Sequence, residues 1–156
     1  MEERLERYIE DVALYWERHG VPRIAGRVIG LLLVCDPPYR SVGQIATELN
    51  VSKGSASTMT RLLLTSESIE RVPVPGERAT YYRLKPDSLE RKLEARLAMM
   101  VGFRQLAEEG VALLEGAPSG RRERLERVSR MYAFMEREMG LMLERWRAEE
   151  AERERS

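Results

Sequence analysis

The sequence is poor in the residues from which catalytic, metal and disulfide sites are built. Its 156 residues include one cysteine, Cys35, and one histidine, His19. A single cysteine excludes an intrachain disulfide and agrees with a reducing compartment. A two-histidine metal site is excluded, and no Cys–His pair oriented by a third group can be recognised. We therefore expect a protein that is not an enzyme and that carries no metal and no cofactor.

Long apolar runs are also missing. The longest, residues 28–35, is interrupted by Gly30 and is far shorter than a membrane span. The beginning of the chain, MEERLERYIEDV, is acidic and amphipathic, unlike a secretory signal peptide. These features predict a cytoplasmic protein without a membrane partner.

The chain has no net charge, with 26 basic and 26 acidic residues, but the charges are unevenly distributed. Residues 21–85 contain nine Lys/Arg and five Asp/Glu, a balance of +4, whereas residues 1–20 carry −3 and residues 86–156 carry −1. Because phosphates attract lysine and arginine, the middle segment is the part suited to nucleic acid.

Within that segment, residues 41–63 predict two short helices joined by a tight turn. Ser41 and Gln44 have the spacing of a capping box, and Ser52 is a natural N-cap for the second helix. The turn falls at Asn50 and Val51. An apolar set holds the two helices together at a steep angle: Ile45, Ala46, Leu49, Val51, Ala56 and Met59.

The second helix leaves small, hydroxyl-bearing and cationic side chains away from its packed face. Such groups suit a helix that enters the major groove of DNA. The candidate DNA contacts in this segment are Ser41, which caps the first helix, and six residues of the second helix: Lys53, Gly54, Ser55, Ser57, Thr58 and Arg61. Taken alone, this segment could also be a plain helical hairpin in an α-helical core.

Two runs rich in β-branched and aromatic residues follow, at 69–74 and 79–84, and they flank the turn sequence PGER at 75–78. This pattern predicts a two-stranded hairpin, which after a recognition helix is the wing of a winged helix. Arg78 stands at its tip, where a guanidinium can enter a minor groove or hold a phosphate. In isolation Arg78 would be read as a solvated turn residue.

Both ends of the chain predict long amphipathic helices. Apolar residues recur at spacings of three and four in residues 1–20, and a helix from Asp87 to about Glu115 ends at the GAPSG sequence, 116–120. The last helix carries a continuous heptad seam: Leu125, Val128, Tyr132, Met135, Met139, Met142 and Trp146. Such a stripe is unfavourable on a monomer, which predicts a homodimer. The alternative is packing of the last helix against its predecessor.

The expected fold is therefore mainly α with a small β-hairpin wing. We expect an N-terminal dimerisation helix (1–20), a winged helix-turn-helix DNA-binding domain (21–85) and a C-terminal helical dimerisation region (86–156). Two recognition helices about one DNA turn apart, ~34 Å, would match a two-fold operator. Aromatic residues near the helical body are candidates for contact with a small-molecule effector: Tyr8, Tyr15, Trp16 and Tyr132. The alternative for these aromatic residues is dimer core.

Several segments carry a family resemblance: 20–22 (GVP), 26–33, 51–57 (VSKGSAS), and 76–78 (GER) followed by Tyr81 and Tyr82. Together they resemble the MarR-type transcriptional regulators, in particular the branch named after GbsR. The resemblance implies a homodimeric winged-helix regulator that binds a pseudo-palindromic operator, with effectors that vary and are choline-type in one branch member. We expect repression rather than activation. Residues 65–69 depart from the pattern, since such proteins often have a glycine before the first wing strand.

A competing hypothesis is a protein-interaction module that uses a winged helix and a coiled-coil stalk without specific DNA binding. The small-polar and basic face formed by Lys53, Ser55, Ser57, Arg61 and Arg78 argues against it, because such a module has no use for that face.

Overall fold

The computed structural model describes residues 3–116 and 119–155. The elements in chain order are α1 (Glu3–Glu17), α2 (Arg23–Val34), β1 (Arg40–Ser41), α3 (Val42–Glu48), α4 (Lys53–Thr65), β2 (Ile69–Val72), β3 (Tyr81–Leu84), α5 (Ser88–Leu113) and α6 (Ser119–Arg153). They divide into an amino-terminal unit, Met1–Ser88, and a carboxy-terminal unit, Leu89–Ser156. No helix of the described ranges is both long and apolar enough to cross a membrane.

In the amino-terminal unit, α1 packs closely against α2 because α2 has glycines at the contact. Ile9 and Ala13 are buried on the inner face of α1. A Cβ added to Gly26 would lie 2.8 Å from the Cα of Ala13, and one added to Gly30 would lie 3.1 Å from the Cα of Ile9. The predicted segment 1–20 therefore belongs to the same unit as the helix-turn-helix.

Gly26→Ala is expected to destabilise the amino-terminal unit by about 1–3 kcal/mol, because the clashing atoms are backbone atoms of Ala13 that cannot rotate away. The matched control is Gly43→Ala in α3, where the nearest atom to an added Cβ is the Ser41 Oγ at 3.9 Å. The control should be neutral or slightly stabilising, since alanine favours helix. Urea unfolding of both variants measures the difference; equal stabilities would contradict the close approach of α1 and α2.

The predicted caps and turn of the helix-turn-helix are confirmed. The Ser41 hydroxyl oxygen accepts from the Gln44 N–H at 3.3 Å, and the Gln44 side-chain carbonyl accepts from the Ser41 N–H at 2.9 Å. At the start of α4, the Ser52 hydroxyl oxygen accepts from the Ser55 N–H at 3.0 Å. Asn50 has a φ of 51°, the left-handed conformation that the turn requires.

The chain lacks the glycine that similar proteins often have before the first wing strand, and Glu67 takes the left-handed backbone conformation there instead. The helix stops at Thr65, and Glu67 adopts a φ of 53° two residues later. A side chain there costs about 1–2 kcal/mol relative to glycine. An ion pair of 2.8 Å between the Glu67 carboxylate and the Lys85 ammonium ties this residue to the chain after β3.

The wing is a three-stranded antiparallel sheet in the order β1-β3-β2, rather than the two-stranded hairpin that was predicted. β1 pairs with β3 through Arg40 opposite Tyr82 and Ser41 opposite Tyr81. β2 and β3 are each four residues long, shorter than the six-residue runs that predicted them. The mainly α fold with a small wing is otherwise confirmed.

One apolar core connects these elements. It comprises Ile9, Ala25, Val28, Leu31, Leu32, Ile45, Leu49, Ala56, Leu63, Ile69 and Tyr82. The set predicted to hold the helix-turn-helix belongs to this core: Ile45, Leu49 and Ala56 are fully buried, and Ala46, Val51 and Met59 pack against it. The core fixes α4 beneath the sheet and leaves its opposite side free.

In the carboxy-terminal unit, α5 and α6 are antiparallel. Glu90 and Glu94 near the start of α5 pair with Arg147 near the end of α6. In the middle, the rings of Phe103 and Tyr132 are 5.0 Å apart. The predicted break between these helices includes residues 117 and 118, which lie outside the described ranges.

The heptad seam of α6 changes its environment along the helix. Leu125 packs on Gly110 and Tyr132 on Phe103, whereas Met142 and Trp146 are 47% and 45% exposed. An α-helix has 3.6 residues per turn, so a 3.5-residue seam drifts by about 20° per heptad around a straight helix. From Leu125 to Trp146 the drift adds up to about 60°, so the early part of the seam faces α5 and the late part is turned toward solvent at the edge of that contact.

Candidate nucleic-acid interface

The free side of α4 presents a stripe of small and cationic groups. Gly54, Thr58 and Arg61 are exposed and Ser57 is half-buried, at the spacing of three and four that places residues on one helix face. The opposite side of α4 is buried in the core through Ala56, Thr60 and Leu63. Small residues at the start of this stripe let backbone approach a groove, and Arg61 extends beyond them.

The predicted contact residues differ in how their hydroxyl groups are used. Ser57 makes no hydrogen bond within the described part of the chain, so its hydroxyl is free for a ligand. The hydroxyls of Ser52 and Ser55 bond to each other at 2.8 Å. The Thr58 hydroxyl accepts from the Arg61 guanidinium at 3.3 Å. Ser41 uses its hydroxyl oxygen in the cap of α3.

Arg78 lies in the loop between β2 and β3 and is exposed. The loop turns at Gly76, which has a φ of 83°, and the Glu77 N–H donates to the Val74 carbonyl at 3.1 Å. Loss of water contact and the neighbouring Glu77 carboxylate, which accepts from the phenol, raise the pKa of Tyr81 above its ordinary value. The phenol therefore stays protonated at neutral pH.

The excess positive charge of residues 21–85 comes from cations without an acidic partner. Five of the nine are ion-paired among the described residues: Arg23 and Arg27 with Glu10, Arg40 with Glu48, Arg83 with Glu70, and Lys85 with Glu67. The other four are exposed: Lys53, Arg61, Arg71 and Arg78. We call these four the free cations. Two are on α4 and two on the wing.

Arg71 was not predicted from the sequence. It lies in β2 opposite Tyr82 and is exposed. The sequence does not distinguish Arg71 from Arg83, because both are arginines in predicted strands. In the structure Arg83 is paired with Glu70 at 2.6 Å, whereas Arg71 has no acidic partner among the described residues.

The residues predicted to contact an effector lie in two different units. On α1, Tyr8, Tyr15 and Trp16 are 44%, 57% and 37% exposed. Tyr15 and Trp16 meet edge to face at 5.5 Å, and Tyr15 lies 4.6 Å from the His19 ring. Tyr132 belongs to the carboxy-terminal unit. Tyr15 and Trp16 therefore form a cluster with His19, while Tyr132 pairs with Phe103.

Cys35 follows α2 and is half-buried. Burial is the main reason that the pKa of its thiol is raised, with Glu48 adding to the effect and Arg40 opposing it. A raised pKa leaves less thiolate at neutral pH, which lowers the reactivity of the sulfur.

Comparisons with known proteins relate the chain to transcriptional regulators. The sequence profile described as "MmpR5-like MarR family transcriptional regulator" matches residues 87–149. The chain is 38% identical over 129 residues to the HTH-type transcriptional regulator MmpR5 of Mycobacterium tuberculosis (strain ATCC 25618 / H37Rv), covering 83% of this chain and 78% of that one. A crystal structure of a transcriptional regulator superimposes with a TM-score of 0.68 at 35% identity, covering 93% of this chain and 99% of the other.

Proposed function

The chain belongs to the MarR family of transcriptional regulators, and we propose that it acts in the cytoplasm as a homodimeric repressor on a pseudo-palindromic operator. The family resemblance drawn from the sequence is thereby confirmed, while the GbsR-like branch stays a prediction. The observation that carries the proposal is the arrangement of the free cations, which are found on the exposed side of α4 and on the wing.

In this proposal residues 21–85 contact DNA. α4 lies in the major groove with Gly54 and Ser57 toward the base edges, and Arg78 reaches the adjacent minor groove or its phosphates. Lys53, Arg61 and Arg71 contact phosphates. Phosphate contacts fix the register of the protein on the duplex, and the groups at the base edges provide the sequence preference.

Ser57→Ala is expected to weaken binding to the operator by about 1–3 kcal/mol and to leave binding to random DNA unchanged, because the Ser57 hydroxyl is free to bond a base. Thr65→Ala is the matched control, since the Thr65 hydroxyl donates to the Arg61 carbonyl of its own helix at 3.0 Å. Fluorescence anisotropy on both duplexes measures the effect. Equal losses on operator and random DNA would assign Ser57 to a phosphate instead.

The carboxy-terminal unit supports the dimer. Ten of its described apolar side chains are at least 41% exposed: Leu89, Met99, Phe103, Leu106, Leu113, Met131, Phe134, Leu141, Met142 and Trp146. Its buried apolar residues are Met100, Ala107 and Leu143. A pair of helices with so little buried apolar surface needs a partner, and a second copy supplies a matching face. The outer stripe of α1, in residues 1–20, is a second proposed dimer contact, because Leu5 and Tyr8 are exposed there.

A small-molecule effector is a further part of the proposal. The exposed cluster of Tyr15, Trp16 and His19 offers ring faces for an apolar or cationic ligand. Such a ligand would relieve repression by favouring a dimer whose two recognition helices no longer match the operator spacing.

Selection from a random-sequence duplex library tests the function as a whole. We expect the protein to enrich a two-fold symmetric site with half-sites about 10 base pairs apart, and to protect such a site in DNA that flanks its own gene. Enrichment of no sequence over random DNA would favour the competing hypothesis of a protein-interaction module.

A further inference from the structure

The Arg40 side chain connects the wing to the helix-turn-helix. Its backbone belongs to β1 and pairs with Tyr82 of β3. Its side chain, 12% exposed, donates from Nε to the Glu48 carboxylate at 2.6 Å. Glu48 is the last residue of α3 and directly precedes the turn to α4.

The rest of the guanidinium is bound as well. One terminal nitrogen donates to the carbonyls of Pro37 and Tyr39, both at 2.8 Å, and the other donates to the Asp36 carbonyl at 3.4 Å. All three guanidinium nitrogens of Arg40 therefore have hydrogen-bond partners, which hold the planar group in a single orientation. Tyr39 in the same loop meets Tyr81 of β3 edge to face at 5.3 Å.

We propose that Arg40 is a positioning residue which, through Glu48, sets the angle between the wing and α4, so that Arg78 and α4 can reach the same DNA site together. β1 has only two residues in the sheet, so its backbone ladder alone gives the angle little support, and the Arg40 side chain adds to the core contacts of Ile69 and Tyr82. The inference rests on the proposed wing contact of Arg78.

The test is a double-mutant cycle of Glu48→Gln and Arg78→Ala, measured on the operator duplex recovered by selection. Glu48→Gln removes a negative charge and releases Arg40, so simple electrostatics predicts tighter binding. If positioning dominates, Glu48→Gln instead weakens binding about tenfold or more. Arg78→Ala alone lowers operator affinity by a similar factor, but in the Glu48→Gln background it then lowers the affinity less than about threefold.

Arg40→Lys keeps the positive charge but loses the planar guanidinium group, and it should therefore behave like Glu48→Gln.

The matched control is Glu70→Gln. It makes the same charge change and breaks an ion pair with Arg83 that lies inside the β2–β3 hairpin. Binding should stay equal or become tighter, and Arg78→Ala should keep its full cost in that background. An additive cycle for Glu48 and Arg78 would overturn the inference and leave the wing contact standing. If Arg78→Ala alone leaves operator binding unchanged, the wing contact is refuted, and the positioning role of Arg40 is refuted with it.

Hydrogen exchange separates positioning from general loss of structure. In Glu48→Gln, amides of β1, β3 and the wing loop should exchange faster, while amides of Val28, Leu31 and Leu32 in the core of α2 keep their protection. Faster exchange throughout the amino-terminal unit would make Arg40 a stabilising residue only and would count against the proposal.

Discussion

The double variant Arg61→Ala and Arg78→Ala is expected to lose operator affinity by at least about a thousandfold. Both guanidinium groups are exposed and without an acidic partner, so neither is needed to neutralise another group of the protein. A dimer would lose four contacts at about 1–3 kcal/mol each, and about 1.4 kcal/mol corresponds to a factor of ten. Electrophoretic mobility shift or anisotropy measures the loss.

The salt dependence gives a second, independent readout of the same variant. Each phosphate contact contributes about 0.9 to the slope of log K against log salt. The slope should therefore become shallower by about 0.9 for every contact that Arg61 and Arg78 make with phosphate. A contact with a base edge in the minor groove would lower affinity without changing the slope by that amount.

The matched control is Arg153→Ala with Arg155→Ala. It removes the same two charges from the end of the chain, outside the amino-terminal unit, where both side chains are exposed. Its affinity for the operator should be nearly unchanged. Equal losses in the control and in the test variant would mean that net charge alone governs binding, and the proposed interface would be wrong.

The sequence predicted the parts of this fold that depend on neighbouring residues. The capping box of Ser41 and Gln44 and the cap at Ser52 are local hydrogen bonds with a recognisable spacing, and both are present. The third strand, by contrast, was missed. β1 has two residues, and it exists because Arg40 and Ser41 are brought beside β3 by packing distant in sequence.

The candidate interface was predictable in outline and not in detail. The charge balance located it, but the sequence does not indicate which arginines are neutralised by a carboxylate. Arg83 and Arg71 lie in paired strands, yet one is bound to Glu70 and the other is free. In the sequence Gly30 interrupts an apolar run and Gly26 is part of the family pattern, whereas in the structure the two glycines set how closely α1 approaches α2.

Met142→Glu is expected to raise the dissociation constant of the proposed homodimer by at least about a thousandfold. Met139, near the middle of the seam, is half-buried within a single chain, so a charge there would also disturb the chain itself. Met142 is 47% exposed, and a carboxylate is tolerated there in the monomer. At a two-fold interface the same carboxylate is buried twice without a partner, at several kcal/mol each.

Ala148→Glu is the matched control, because it adds the same charge to an exposed position of α6 away from the seam. Analytical ultracentrifugation should find Met142→Glu monomeric at concentrations where the control is dimeric, with equal helix content by circular dichroism. Operator binding should fall with dimer formation, since a monomer engages one half-site, while binding to random DNA should fall much less. A Met142→Glu protein that dimerises normally would move the interface to the outer stripe of α1, where Leu5 and Tyr8 are 37% and 44% exposed.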